Sequence, residues 1–191
     1  LKKVRDILPD IDQIKVVLVL ESPYKDELIH GHPLAGKSGM DVSSYLNEKI
    51  GLGFASPLGC EIKSGNAPLF GVMNASLMPL DKRCYSCSDR RIEMIDNYDF
   101  IRRNPKTLPV RRRNRDVALI ERELISSFKK RFDSIRRRDL NITYVPCGEL
   151  ADKFLGLIND VQKIDMLPHP SFNQWKGKDF VRLNELIRSV I

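Results

Sequence analysis

Three short polar clusters interrupt apolar stretches of this chain, and each carries a residue type that does chemistry. Glu21-Ser22-Pro23-Tyr24 follows the run Val16–Leu20, Asn74 lies within the run Leu69–Met78, and His169-Pro170-Ser171 follows Lys163–Leu167. A positioned carboxylate acts as a general base or stabilises positive charge. An amide both donates and accepts, so it can read the polar edge of a ligand. An imidazole can donate to an oxygen that gains negative charge. Each group also has a plainer use: Glu21 as a capping or solvated acid, Asn74 as a strand-end hydrogen bond, His169 as a satisfied structural residue.

A fourth segment suggests phosphate chemistry. Gly31-His32-Pro33-Leu34-Ala35-Gly36-Lys37-Ser38 fits the phosphate-loop pattern G-x-x-x-x-G-K-[ST], in which Lys37 would meet a nucleotide and Ser38 a magnesium ion. That loop must be the direct turn from strand to helix. Here residues 21–30 intervene, and no later strand end offers four apolar residues followed by Asp. A Gly/Pro turn capping the next helix explains the segment better. An NTPase stays open only as a minor alternative.

The elements that must position these groups follow from periodicity. Val16–Leu20 reads as a buried parallel strand, residues 69–78 as a second, Ile142–Val145 as a third and Lys163–Leu167 as a fourth. Helices are predicted over Asp41–Ile50, from Asn114 to about Arg138, over Gly148–Ile158 and over Asp179–Val190. A short helix is expected over Ser88–Tyr98, and residues 51–67 read as loop. The alternation predicts an α/β fold: a three-layer α/β/α sandwich around a central, mostly parallel four-stranded sheet. Sheets of this kind bind ligands at the carboxyl ends of their strands, where all three polar clusters fall.

Taken together and in order, these clusters resemble the signatures of the uracil-DNA glycosylase superfamily. One signature there is a strand, a polar pair, Pro, and a loop of the type G-x-P-hydrophobic-x-G-x-[SA]-G. This chain has Glu21-Ser22-Pro23-Tyr24 and then Gly31-His32-Pro33-Leu34-Ala35-Gly36-Lys37-Ser38-Gly39. The middle signature is an apolar strand carrying Asn, here Gly71-Val72-Met73-Asn74-Ala75, and the last is His169-Pro170-Ser171. The resemblance spans about Val16 to Phe172. Ser22 stands where the family often has Asp or Asn, and Leu34 where one branch has a base-stacking Phe. No Cys precedes Cys60, so that branch's four-Cys iron–sulfur cluster is not expected.

The resemblance implies hydrolysis of the N-glycosidic bond of uracil, or a related deaminated base, in DNA. It implies Glu21 and His169 as catalytic groups, with Tyr24, Leu34 and Asn74 around the base. Lys37, Ser38, Gly39, Ser171 and Phe172 would meet DNA, with Phe172 or Trp175 as a wedge between base steps. The base must leave the stack to be reached. No cofactor is implied. The alternative, motivated by Ser22 and Leu34, is a member of the same fold that binds nucleic acid without chemistry.

Charge points the same way. Residues 101–138 hold 14 Lys/Arg against 4 Asp/Glu, a balance of +10, whereas the whole chain is only +7. Arg111, Arg112 and Arg113 lie in this segment and are candidate phosphate contacts, a solvated loop being the plainer account. A single domain over 1–191 is expected, with a long basic insertion at about 79–113. The longest aliphatic run is too short to span a bilayer. Four scattered Cys (60, 84, 87 and 147) suggest a reducing cytoplasm and idle thiols rather than a metal site, although Cys84-x-x-Cys87 has ligand-like spacing. DNA is the expected partner of a monomer, with no membrane contact.

Overall fold

In the computed structural model, which describes residues 2–9, 12–86, 92–136 and 141–191, three strands form one parallel sheet. They are β1 (Val16–Leu20), β2 (Phe70–Asn74) and β3 (Thr143–Pro146), in the order β2-β1-β3. Leu20 pairs with Asn74, and Val19 with Pro146, so all three strands end at one edge. Every residue of the three strands is buried, which is why they read as continuous apolar runs.

The sheet is covered on both faces. Alternate residues of β1 serve opposite cores: Val17 and Val19 pack with Phe128, Phe132 and Phe154, whereas Val16, Leu18 and Leu20 pack with Tyr45, Leu46 and Trp175. The first face is closed by α4 (Ile92–Arg103), α5 (Arg115–Arg136) and α6 (Glu149–Gly156). The second is closed by α2 (Lys37–Ile50), α3 (Leu58–Lys63) and α7 (Val181–Arg188). A short helix, α1 (Lys25–His30), leads from β1 toward α2. The Asn114 side chain caps α5 by accepting from the amides of Asp116 (2.9 Å) and Val117 (3.2 Å). Gly51, at φ 85°, ends α2.

The expected fourth strand is not a strand. Residues 163–167 run parallel beside β3 but touch it in register only at Tyr144–Lys163 and Cys147–Leu167. Between those bridges β3 advances three residues and its neighbour four, so the edge carries an extra residue, as in a bulge. Pro146 also has no N–H to give the ladder. The opposite edge is covered by the N-terminal segment, where Ile7 and Val72 exchange two 2.9 Å hydrogen bonds. Both edges are thereby shielded from further strand pairing. Two further expectations change. The loop over 51–67 contains α3, and the helix expected over 88–98 runs on to Arg103, residues 88–91 of that span lying outside the described residues. Among the described residues no helix is long and apolar enough to cross a membrane.

Candidate functional site

Glu21 follows β1, Asn74 is the last residue of β2, and His169 follows the segment bridged to the edge of β3. Glu21 is the first residue beyond β1, and its carbonyl accepts the Ser76 amide at 3.0 Å, which ties it to the exit of β2. On its other side stands Gly148, at φ 99°, where a Cβ would lie 3.1 Å from Glu21 Oε1. A side chain there would press on the carboxylate. Burial raises the Glu21 carboxyl above its ordinary range; Arg102 opposes the rise, and Glu149 and Asp81 add to it.

His169 lies two residues beyond Leu167, whose carbonyl accepts the Gly148 amide at 2.9 Å. Its Nδ1 takes the Ser171 amide at 3.3 Å and stands 3.0 Å from Ser171 Oγ. A ring nitrogen that accepts a backbone N–H carries no proton, so in the neutral ring the proton is on Nε2. Burial pushes the imidazole down to about 4, with Arg102 adding to the fall. The result is a neutral imidazole with one fixed donor. Arg102, on α4, therefore acts on both the acid and the imidazole.

Asn74 is fully buried, and neither its side-chain oxygen nor its side-chain nitrogen has a partner among the described residues. Strand alternation puts it on the face of Phe70 and Val72, the layer that also holds Leu20 and Leu34. A buried amide with both atoms unmatched costs free energy that a ligand edge would recover. Glu21 follows the opposite parity, so it leaves the sheet on the other face, one residue beyond the Leu20 that pairs with Asn74.

The loop between β1 and α2 is fixed by a residue that sequence reasoning passes over. Glu27 accepts the Tyr24 amide at 2.8 Å and the Leu34 amide at 2.7 Å, and its burial pushes its carboxyl up to about 7. Leu34 is buried with a left-handed backbone, φ 51°. Its carbonyl sits so close to Gly39 that a Cβ there would approach to 1.9 Å. Gly39 is thus buried as a packing glycine beneath Leu34. The phosphate-loop geometry is absent: α1 separates strand from loop, Gly31 is the left-handed stop of α1, and the Leu34 amide is already taken. Lys37 is exposed and Ser38 half-buried in the first turn of α2, which has neither an acidic residue nor a side-chain cap. Tyr24 is half-exposed, with the Arg83 guanidinium 5.6 Å from its ring centre.

Beyond His169 the chain divides its side chains between inside and outside. Ser171 turns back onto the imidazole. Phe172 is 79% exposed with φ 56°, a strained and solvent-facing aromatic. Trp175 is core: it is 1% exposed, donates to Pro168 O at 2.8 Å and packs edge-on against Tyr45. It is no wedge.

The basic segment is less free than its composition suggests. Arg111 and Arg113 are exposed, but the Arg112 side chain is only 2% exposed and is paired with buried Glu121 at 2.9 Å. Arg112 is a structural ion, not a phosphate contact. Arg102 is held by Asp99 and Asp81, and Arg103 by Asp99. Cys60 and Cys84 are half-buried thiols and Cys147 is buried; Cys87 lies outside the described residues. Among the described residues no group of three or more His, Cys, Asp or Glu is placed to hold a metal ion. A cavity of about 170 Å³ opens behind the exit of β2, lined by Ala75, Ser76, Met78 and Tyr98, but Glu21, Asn74 and His169 do not line it.

The sequence matches no protein-family model and no curated protein.

Proposed function

We propose that this chain is a DNA base-excision glycosylase that hydrolyses the bond between deoxyribose and uracil or a related deaminated base. The observation that carries the reading is the buried Asn74 amide, unmatched at both atoms, at the sheet rim that also bears Glu21 and a neutral, donor-fixed His169. A flipped pyrimidine offers such an amide one donor and one acceptor. As the glycosidic bond breaks, its electron pair moves into the base, and the base oxygen that gains charge is met by His169 Nε2–H. The sugar left behind is cationic, and the Glu21 carboxylate stabilises it and takes a proton from the water that adds; that proton passes through solvent to the departing base anion, which leaves neutral and restores the carboxylate. The products are the free base and an abasic site, and water is the one co-reactant.

The exposed surface supports the reading. Phe172, three residues beyond His169, is exposed and could enter the stack as a wedge. The first-turn N–H groups of α2, which have no side-chain cap among the described residues, offer donors to a backbone phosphate together with Lys37 and Ser38. The test is incubation with single- and double-stranded oligonucleotides containing one uracil, followed by alkali. Scission at the uracil is expected. Absence of scission, in a preparation where a competent control enzyme cleaves, overturns the reading.

A second reading has a specific observation behind it. Leu34 presents no aromatic face and is wholly buried, so stacking on a flipped base is not provided there. A nucleic-acid-binding protein of the same fold, without chemistry, accounts for that. Tight, salt-sensitive DNA binding without cleavage, unchanged by Glu21→Gln, would establish it. In either case exposed Arg111 and Arg113 are expected to behave unlike Arg112. Alanine at Arg111 or Arg113 should flatten the log–log salt dependence of DNA binding by about 0.9 for each phosphate no longer neutralised. Arg112→Ala should instead lower the melting temperature. A salt slope unchanged in the Arg111→Ala, Arg113→Ala double variant removes these residues from the interface.

A further inference from the structure

The outer edge of β2 ends in an arrangement that the ordinary strand ladder does not explain. Val72 exchanges backbone hydrogen bonds with Ile7. By the two-residue period, the amide of Asn74 points the same way and would look for the next carbonyl along. It finds a side chain instead, donating to Asp6 Oδ1 at 3.1 Å. The other Asp6 oxygen takes Arg131 Nη1 at 2.5 Å. Arg131 Nη2 then donates to the carbonyls of Asn74 (2.7 Å) and Ala75 (3.1 Å). The guanidinium also lies over the Phe128 ring, 5.5 Å from its centre.

We propose that the Asp6–Arg131 ion pair is a positioning clamp that holds both peptide groups of Asn74, so that its unmatched side-chain amide is aimed before a base arrives; this rests on the glycosylase reading above. The clamp is bidentate at each end. Asp6 bridges an amide and a guanidinium, and Arg131 bridges a carboxylate and two carbonyls. The Arg131 and Asp6 side chains are largely buried, at 18% and 9% exposure, so water competes poorly. Burial raises the Asp6 carboxyl, and Arg131 opposes that rise, so the cation supports the charged acceptor. The clamp comes from distant parts of the chain. An N-terminal residue and one near the end of α5 meet at this strand end, on the far side of β2 from Glu21.

A buried amide with no partner of its own has nothing to fix its direction except its backbone and its packing. Misplacement of a reading group by about 1 Å costs up to about 10² in rate. Loss of the clamp should therefore lower kcat/KM for a uracil oligonucleotide about tenfold to hundredfold. It should also narrow the ratio of uracil release to release of other bases, because the amide is the group that tells them apart. Binding to undamaged duplex should not change.

The experiment is a double-mutant cycle between Arg131→Met and Asn74→Ala, read as kcat, KM and base discrimination, with Arg131→Lys and Asp6→Asn beside it. If Arg131 acts through Asn74, Arg131→Met costs rate in the wild-type background and nothing further in Asn74→Ala. Arg131→Lys keeps the ion pair but cannot fork across two carbonyls, so it should recover part of the loss. Asp6→Asn keeps an acceptor for the Asn74 amide and should fall between. Additive losses in the cycle, or wild-type discrimination in a folded Arg131→Met variant, overturn the clamp while leaving the glycosylase reading intact. A wild-type chain that releases no base overturns that reading and the clamp with it.

Discussion

Replacing His169 with alanine is expected to slow base release about 10²–10³-fold, the usual cost of removing one donor from a developing oxyanion. Binding of an undamaged duplex should barely change, because in the proposed reaction the imidazole meets the base and not phosphate. Tautomer matters here as much as position. Ser171 gives its amide to Nδ1, which leaves Nε2 as the protonated nitrogen, and burial keeps the ring neutral down to about pH 4. A neutral donor strengthens its bond as the base gains charge and hands over no proton. Activity should therefore show no inflection from this ring between pH 5 and 8. The acid limb should come instead from Glu21, displaced upward from the ordinary carboxylate range because its folded form resists ionisation. Ser171→Ala removes the hydroxyl but keeps the backbone amide on Nδ1, so its cost should stay within about tenfold, the scale of one neutral hydrogen bond. Stability supplies an independent check. The folded imidazole titrates below its unfolded value of 6.5, so the unfolded chain binds more protons between about 6.5 and 4. Wild-type stability should fall as pH drops through that window, and His169→Ala should lose that part of the dependence. An alanine variant with wild-type rate, in a preparation where Glu21→Gln is dead, would remove the imidazole from the chemistry.

The parallel sheet is legible in the sequence because its strands are buried on both faces and read as unbroken apolar runs: β1 as Val16–Leu20 and β2 within residues 69–78. The long helix is legible from its stripe and from Asn114, which caps it as expected. A fourth strand is overread because apolar composition does not report register. One extra residue and a proline on the facing strand suffice to break a ladder. Helices α1 and α3 escape periodicity because each has only six residues and starts without a Ser, Thr, Asp or Asn cap. In α1 the missing cap is replaced by Glu27 reaching back to the Tyr24 amide, three residues away. That same carboxylate also holds Leu34, a contact between residues seven apart that no periodicity announces. At the site, residue types at strand ends are readable, whereas orientation is not. Nothing in Arg111-Arg112-Arg113 says that the middle guanidinium turns inward. The sign is an isolated Glu on the inner face of α5: Glu121 sits between Val117 and Leu124, where an apolar residue would serve the core unless the acid has a partner. Arg102 escapes for the converse reason. Composition groups it with the basic segment, but three-dimensional proximity to Glu21 and His169 makes it an electrostatic neighbour of the site.

Neutralising that buried acid should produce the largest loss of stability in the chain. Glu121 is inaccessible, and it compensates two buried cations: Arg112 at 2.9 and 3.1 Å, and Lys153 through a short hydrogen bond to Oε1. Removing one member of such a group strands the others and costs about 3–5 kcal/mol. For a chain of this size that corresponds to a fall in melting temperature of about 6–20 °C, at about 2–4 °C per kcal/mol. Two features sharpen the expectation for Glu121→Gln. Arg112 cannot shed its charge, and without an anion it is left with neutral partners, the Asn104 carbonyl at 2.7 Å and the Phe100 ring 5.5 Å away. Lys153 can shed its proton; burial already pulls its ammonium below the ordinary range, and the acid is what opposes that fall. Without Glu121 the folded amine titrates well below the unfolded one. The penalty should therefore shrink as pH rises toward the unfolded lysine value near 10. The position of the triad ties this loss to function. It fastens the segment around Pro109–Arg111 and the start of α5 to α6, and α6 begins at the glycine that makes room for the Glu21 carboxylate. Arg112 is extended, with φ −71° and ψ 127°, so burying it leaves Arg111 and Arg113 pointing outward, toward any phosphate backbone. The variant should thus keep its turnover per folded molecule at low temperature and lose DNA affinity as this segment loosens. Replacing all three ions with apolar residues of similar volume should restore the melting temperature and leave the two outer arginines in place. If Glu121→Gln melts with the wild type, the two cations are not held where the structure puts them, and the outward display of Arg111 and Arg113 loses its anchor.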